Sequence, residues 1–232
     1  MVTLMAQIHD PVIAPVVDAS VARASQSEEE PTLKLTMKPT APARAKTLDE
    51  LEAQFVAMGA AAQSLVNAAG AGLCAQRPSP GSWSVAECLQ HLNISVDAYF
   101  PIWPQVVANA GPRKTEVNAP YRTDFWGRLL SWILEPPARI RSRTPFSFEP
   151  VDVNSIETVL SGFLERQQRI LATLRRCRGR SIDRIRMASP VDRRIRYSIW
   201  SSFVIVAAHQ RRHLWQGEQA VQKLRSGSPP SA

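Results

Sequence analysis

The sequence predicts an all-α fold: a four-helix bundle with a long crossover connection that carries a short extra helix. Four segments have apolar residues at spacings of three and four, which is the period of an amphipathic helix. Residues 110–153 separate the second segment from the third and are too long for a tight turn. Little alternating strand pattern is present, and the other connections are expected to be short.

Each predicted helix begins at a capping residue. Three pairs have the spacing of a capping box: Thr47 and Glu50, Ser84 and Glu87, and Asn154 and Glu157. The first helix should end near Gly70 or Gly72, and Pro101 and Pro104 should kink or end the second. The fourth helix is predicted over residues 198–224.

The crossover contains a short amphipathic pattern at residues 125–134, which Pro136 and Pro137 should end. A basic strip follows, with Arg139, Arg141 and Arg143. This insertion could form a lid over a pocket, bind an acidic substrate, touch a membrane surface or pack in a dimer. The simplest interpretation is a helix that covers one end of the bundle.

Composition predicts two tails around one folded domain. Residues 1–45 are expected to be disordered or loosely packed, residues 46–225 to form the bundle, and residues 226–232 to form a short C-terminal tail. The formal net charge is +8, and the excess lies beyond the charge-balanced first 46 residues. Such a charge favours an anionic partner: nucleic acid, an anionic membrane surface or an acidic small molecule.

The cysteines and the N-terminus predict a protein of the reducing cytoplasm. Cys74, Cys88 and Cys177 are scattered and form no CxxC pair, so neither a disulfide framework nor a cysteine zinc site is indicated. The N-terminus lacks the basic and apolar regions of a signal peptide. No stretch approaches the ~18 uninterrupted apolar residues that a transmembrane helix needs.

The histidines carry the clearest functional pattern. His9 lies in the predicted tail. His209 and His213 are four residues apart in the last helix, so they share one face, and that face is apolar. His91 lies in an apolar row of the second helix. Three neutral imidazoles with an open fourth position form a catalytic zinc arrangement, whereas the alternative is three hydrogen-bonded core histidines.

Two segments resemble motifs of the DinB-like (DinB/YfiT-like) superfamily of metal-binding four-helix-bundle proteins. They are Trp83-Ser84-Val85-Ala86-Glu87-Cys88-Leu89-Gln90-His91-Leu92, similar to W-S-x-x-E-x-x-x-H-L, and His209-Gln210-Arg211-Arg212-His213-Leu214, similar to H-x-x-x-H-L. The resemblance covers roughly residues 47–224. It implies one divalent metal ion, zinc or nickel first, held by His91, His209 and His213. It also implies a homodimer and, as in some relatives, a transferase that uses a low-molecular-weight thiol, or a hydrolase.

Other side chains near the histidines have ordinary explanations beside functional ones. Glu87 could be a general base, but it is also a capping residue. Cys88 could be a fourth metal ligand, although burial in the core explains a small cysteine as well. Trp83 is expected to be a core residue that packs against Cys88 as a hydrophobic staple at the start of the second helix. Gln210 and Gln216 could orient a metal ligand, although partly exposed polar side chains are the simpler interpretation. Arg211 and Arg212 lie on the opposite side of the helix from the histidines and are expected to be solvated.

Three functional hypotheses follow from the sequence. The first is a metal-dependent enzyme that acts on a small-molecule substrate or thiol. The second is a non-catalytic binding or sensor module with a structural metal. Nucleic-acid binding through the positive charge ranks third, because no recognition motif is present.

Overall fold

The computed structural model describes residues 44–114, 119–137, 146–150, 153 and 155–227. Within these residues the α-helices are α1 (Leu48–Ala75), α2 (Val85–Asp97), α3 (Trp103–Ala108), α4 (Phe125–Leu134), α5 (Ile156–Arg176) and α6 (Ile199–Arg225). The strands are β1 (Arg186–Ala188) and β2 (Arg196–Ser198), and a 3-10 helix spans Phe146–Phe148. None of the helices described is long and apolar enough to cross a membrane. Residues 1–43 and 228–232, most of the two predicted tails, lie outside the described residues.

Helices α1, α2, α5 and α6 form the predicted four-helix bundle. Helices α1 and α6 run in the same direction, because Arg211 donates a hydrogen bond to Gln54 near one end and Arg225 donates to the Ala68 carbonyl near the other. Residues 76–84 join α1 to α2, and a link this short is typical of antiparallel neighbours.

Helices α2 and α5 are parallel, which explains the long crossover. Asn93 donates to the Val159 carbonyl at 3.0 Å, and further along both helices Arg166 donates to Asp97 at 2.6 Å. Two consecutive bundle helices that run in the same direction need a connection that returns along the length of the bundle. The crossover predicted from the sequence, including its extra helix, is therefore confirmed.

Two of the three predicted capping boxes are confirmed, at the starts of α1 and α2. The third prediction is wrong by one residue. Ser155 caps α5, and its side chain accepts the Thr158 N–H at 3.3 Å. Asn154 itself lies outside the described residues. The buried positions Ile156 and Val159 set the phase of this helix, and that phase places Ser155 at the cap.

The predicted end of the first helix coincides with a kink inside α1, and the second helix ends earlier than predicted. Helix α1 continues past Gly70 to Ala75, although Gly70 itself leaves the helical conformation at φ 74° and kinks the chain there. Helix α2 ends at Asp97, before the prolines. Pro104 lies in the first turn of α3. Proline has no backbone N–H, but at this position an N–H would have no partner within the helix, so no hydrogen bond is lost.

The connection between α5 and α6 is longer than expected and contains an antiparallel hairpin. Met187 pairs with Tyr197, and both side chains are buried against the bundle. Three-residue strands are too short to show an alternating pattern, which is why little strand signal is visible in this part of the sequence.

Helix α4 packs along the first half of α6 rather than across one end of the bundle, so the simplest interpretation of the insertion is wrong. Asp124 caps α4 by accepting the Gly127 N–H at 2.9 Å, and it also accepts the Ser198 N–H at 2.6 Å. Gly127 and Ser131 are buried on the side of α4 that faces α6. A Cβ added at Gly127 would lie 2.4 Å from the Ser201 Oγ, so the helices approach as closely as glycine permits.

The close contact at Gly127 predicts that Gly127→Ala destabilises the protein. The added methyl group would collide with Ser201 and Thr123 and push α4 away from α6. We expect a loss of about 1–3 kcal/mol in the free energy of unfolding, measured with urea. Gly72→Ala is the matched control, because no atom lies within 4 Å of its added Cβ, and it should be neutral or slightly stabilising. Equal effects of the two substitutions would contradict the packing described.

Candidate metal centre

The three histidines singled out from the sequence meet in the structure. His91 projects from α2, and His209 and His213 project from α6 one turn apart. The Nε2 atom of His209 lies 3.1 Å from the Nε2 of His91 and 3.1 Å from the Nε2 of His213. One ligand atom from each of the three lies within 4.8 Å of the others, a spacing that could hold a metal ion.

The crossover fixes the orientation of His91. Its Nδ1 lies 2.7 Å from the Phe148 carbonyl oxygen, which can only accept a hydrogen bond. Nδ1 therefore carries the proton, and the lone pair is on Nε2, which faces the other two histidines. A metal-binding imidazole is commonly oriented by such a bond to its second nitrogen. The Ser95 hydroxyl lies 3.4 Å from the same Nε2.

The distances and protonation states fit a cation better than a proton. Ligands about 2.0–2.1 Å from a tetrahedral ion lie roughly 3.3–3.4 Å apart, close to the 3.1 Å observed. Without an ion, the Nε2 of His209 could donate to only one of its two neighbours, and the other close pair of nitrogens would be unfavourable. A cation among the three lone pairs removes this conflict.

Trp83 forms an apolar wall of the site. Its ring stacks on His213, with centroids 5.6 Å apart, and tilts against His91 at 4.9 Å. The sequence alone suggested a staple and core residue, so this role was missed. The position of Trp83 in the same motif as His91 could have indicated that its ring lies beside the metal centre.

Burial keeps all three imidazoles neutral. Desolvation lowers the pKa of His91, and it lowers the pKa of His209 to about 3 and that of His213 well below its ordinary value. The neighbouring imidazoles and the half-buried Arg212 add positive potential that lowers the pKa of His209 and His213 further. Because the imidazoles are neutral, their lone pairs are available at neutral pH. His209 is partly exposed, so the centre reaches the protein surface.

The surroundings of His213 complete the site. Its Nδ1 is buried and has no hydrogen-bond partner of good geometry among the described residues. The side chain of Gln216 lies near enough to raise the pKa of His213 slightly against the larger effect of burial. A small rotation of Gln216 would give this nitrogen an acceptor, the orienting role that the sequence suggested for it.

Three polar residues of α6 are more enclosed than expected. Gln210 is buried and accepts a hydrogen bond from Gln167 at 3.0 Å. Arg211 is ion-paired with the buried Glu135, and Arg212 is half-buried and donates to a carbonyl at the end of α4. The difference arises because α4 covers the side of α6 that carries Arg211 and Arg212, while α5 contacts Gln210, and a helical pattern alone cannot show either contact.

Glu87 and Cys88 have the ordinary roles rather than the functional ones. Burial alone would raise the pKa of Glu87, but hydrogen bonds from Arg77 and from the Ser84 N–H hold it below its ordinary value. Glu87 is thus a capping carboxylate engaged by an arginine. Cys88 is buried, burial raises the pKa of its thiol, and it is absent from the metal-ligand group that the described residues form.

Comparison with known proteins identifies a family to which the chain is similar. The family model described as the DinB superfamily matches residues 54–216, well over half of the chain. This span contains all three histidines and Trp83. No curated protein and no solved structure matches the chain.

The neutral histidines predict how the stability of the metal-free protein depends on pH. A histidine whose pKa falls on folding binds fewer protons in the folded state, so stability should decrease as pH drops from about 6.5 toward 3. His209→Gln should lessen this decrease by roughly 1–4 kcal/mol. The measurement is urea unfolding at several pH values in the presence of a chelator. His9→Gln, which lies outside the described residues, is the control and should leave the pH dependence unchanged; an unchanged dependence in His209→Gln would contradict the prediction.

Proposed function

We propose that this chain, which belongs to the DinB superfamily, binds one divalent metal ion through His91, His209 and His213 and uses it in a reaction on a small molecule. The observation that carries this proposal is the convergence of three neutral imidazoles on one point near the surface. Imidazole ligands suit zinc and nickel, which we take as the first candidates.

The reaction we propose is transfer of a low-molecular-weight thiol to an electrophile, or hydrolysis. A divalent ion held by three neutral ligands would act as a Lewis acid toward a thiol or water nucleophile. The neutral ligands leave the ion's charge uncompensated, and Arg212 adds positive potential beside it. Both features favour an anionic substrate, such as a carboxylate or a thiolate.

The protein's own residues would prepare the site for this chemistry. The Phe148 carbonyl holds His91 in one tautomer and one orientation. Trp83 covers two of the imidazole rings and keeps water from that side. Because the ligands are already oriented and Trp83 excludes water from one side, less free energy would be needed to reorganise the site during a reaction.

A non-catalytic module with a structural or sensory metal is the second candidate. Structural zinc sites are usually closed by four protein ligands. The described residues supply three such ligands at this point, and one of them is partly exposed. This arrangement favours an open site and therefore the enzyme. The homodimer and the cytoplasmic location expected from the sequence remain predictions.

The first test is metal content. Protein purified without a histidine tag should contain about one zinc, nickel or similar ion per chain by elemental analysis. His91→Ala and His213→Ala should each lose the ion and keep their helical circular dichroism, because each removes one of three ligands. His9→Ala is the control and should retain it. Absence of metal after incubation with several divalent ions would show that these are core histidines.

The second test is activity. Metal-loaded protein should catalyse a reaction in a panel of low-molecular-weight thiols with activated aryl halides, or of activated esters and amides. A chelator should abolish the rate and the same ion should restore it. Loss of metal in His91→Ala should reduce the rate at least roughly a hundredfold. Full activity in metal-free protein would refute the role of the metal, and a loaded but inactive protein would favour the sensor module.

A further inference from the structure

Helix α4 buries small residues and leaves two large aromatic side chains exposed. Gly127 and Ser131 face α6, whereas Phe125 is 61% exposed and Trp132 is 47% exposed. An amphipathic helix that served only the core of this protein would show the opposite arrangement. Its outward face therefore needs an explanation that packing against α6 does not provide.

The outward residues form one continuous face. Phe125, Leu129 and Trp132 are spaced by four and three residues, so they lie on one side of α4, and the partly exposed Ile133 borders them. This face contains no acidic residue. Arg128 lies exposed at its edge.

An arginine-rich hairpin region lies at the N-terminal end of this face. Residues 175–196 contain nine arginines and two aspartates. Within residues 184–196, four arginines are exposed and have no acidic partner in the part of the chain that the structure describes: Arg184, Arg186, Arg193 and Arg196. Val191, in the turn of the hairpin, is 57% exposed.

Hydrogen bonds hold the helix and the hairpin region together. Asp124 accepts the Ser198 N–H at the end of β2, and the Arg122 N–H donates to Asp183 at 3.2 Å. The first turn of α4, which contains Phe125, therefore adjoins the end of the hairpin that contains Arg186 and Arg196. We call this region the α4–hairpin surface, formed by Phe125, Leu129, Trp132, Arg184, Arg186, Arg193 and Arg196.

We infer that the α4–hairpin surface binds peripherally to an anionic lipid membrane. An interfacial helix inserts Trp, Phe and Leu into the headgroup boundary while nearby arginines attract anionic lipids. The surface offers both parts side by side, and its charge complements such a membrane. This function is independent of the metal centre.

The observations favour a membrane over two other partners. A two-fold contact between copies, centred on α4, would bring Arg128 and the hairpin arginines close to their own counterparts, and like charges repel. A nucleic acid would use the arginines, but it would leave the aliphatic and aromatic face of α4 largely unused, apart from any ring that stacked on a base.

The test is co-sedimentation of the full chain with lipid vesicles. Vesicles of phosphatidylcholine with roughly 30 mol% phosphatidylglycerol should bind the protein, and pure phosphatidylcholine should bind it far less. Phe125→Ser should weaken binding roughly tenfold or more, because it removes an inserted side chain. Arg186→Gln should weaken it about fivefold.

Each variant has a matched control elsewhere on the protein. Val56→Ser removes a 57% exposed apolar side chain from α1, and Lys223→Gln removes a charge near the end of α6, far from the hairpin. Both should bind vesicles like the parent protein. All four substitutions are at surface positions, and unchanged circular dichroism would verify their folds.

Three results would overturn the inference. One is equal binding, or none, to the two kinds of vesicle. Another is binding to DNA or RNA, but not to vesicles, that Arg186→Gln weakens. The third is a dimer in sedimentation velocity that Phe125→Ser dissociates while vesicles remain unbound.

Discussion

The register between α2 and α6 is the constraint on which the rest of this structure depends. His91 lies opposite His209 only while these two helices keep their present alignment. Contacts at both ends hold it. At one end a Cβ added to Gly217 would lie 3.1 Å from Leu65 and 3.7 Å from Val85, so α6 packs tightly there. At the other, the buried hydroxyls of Tyr99 and Tyr197 are 2.9 Å apart. A slip of one turn would break both contacts and shift His91 by about 5.4 Å along the helix axis relative to His209.

The parallel arrangement of α2 and α5 forces a long crossover, and the crossover contributes to the site as well as connecting the bundle. It supplies the Phe148 carbonyl that sets the tautomer of His91. It also supplies Glu135, the ion-pair partner of Arg211 on the side of α6 away from the histidines. The topology of the bundle and the chemistry of the centre are therefore linked through one connection.

Positive potential is a common property of the two functional regions. The candidate metal centre combines neutral ligands with the nearby Arg212, and the α4–hairpin surface concentrates exposed arginines beside an apolar helix face. Both should favour anionic ligands, a small molecule in one case and a lipid surface in the other. The structure thus shows where part of the net charge of +8 lies, which composition alone could not show.

Local patterns in the sequence determined the helices, most of their caps and the histidines worth considering. Apolar spacing, capping boxes and the HxxxH interval depend on neighbours within one or two turns, and such information is present in a single chain segment. The tertiary structure alone decided which distant groups meet: His91 with His209, Phe148 with His91, and Trp83 with His213. It also decided that Arg211 is paired and that Phe125 and Trp132 of α4 are exposed. Those outcomes depend on packing between helices far apart in sequence, and the periodicity of one helix shows which face is apolar without showing what covers it.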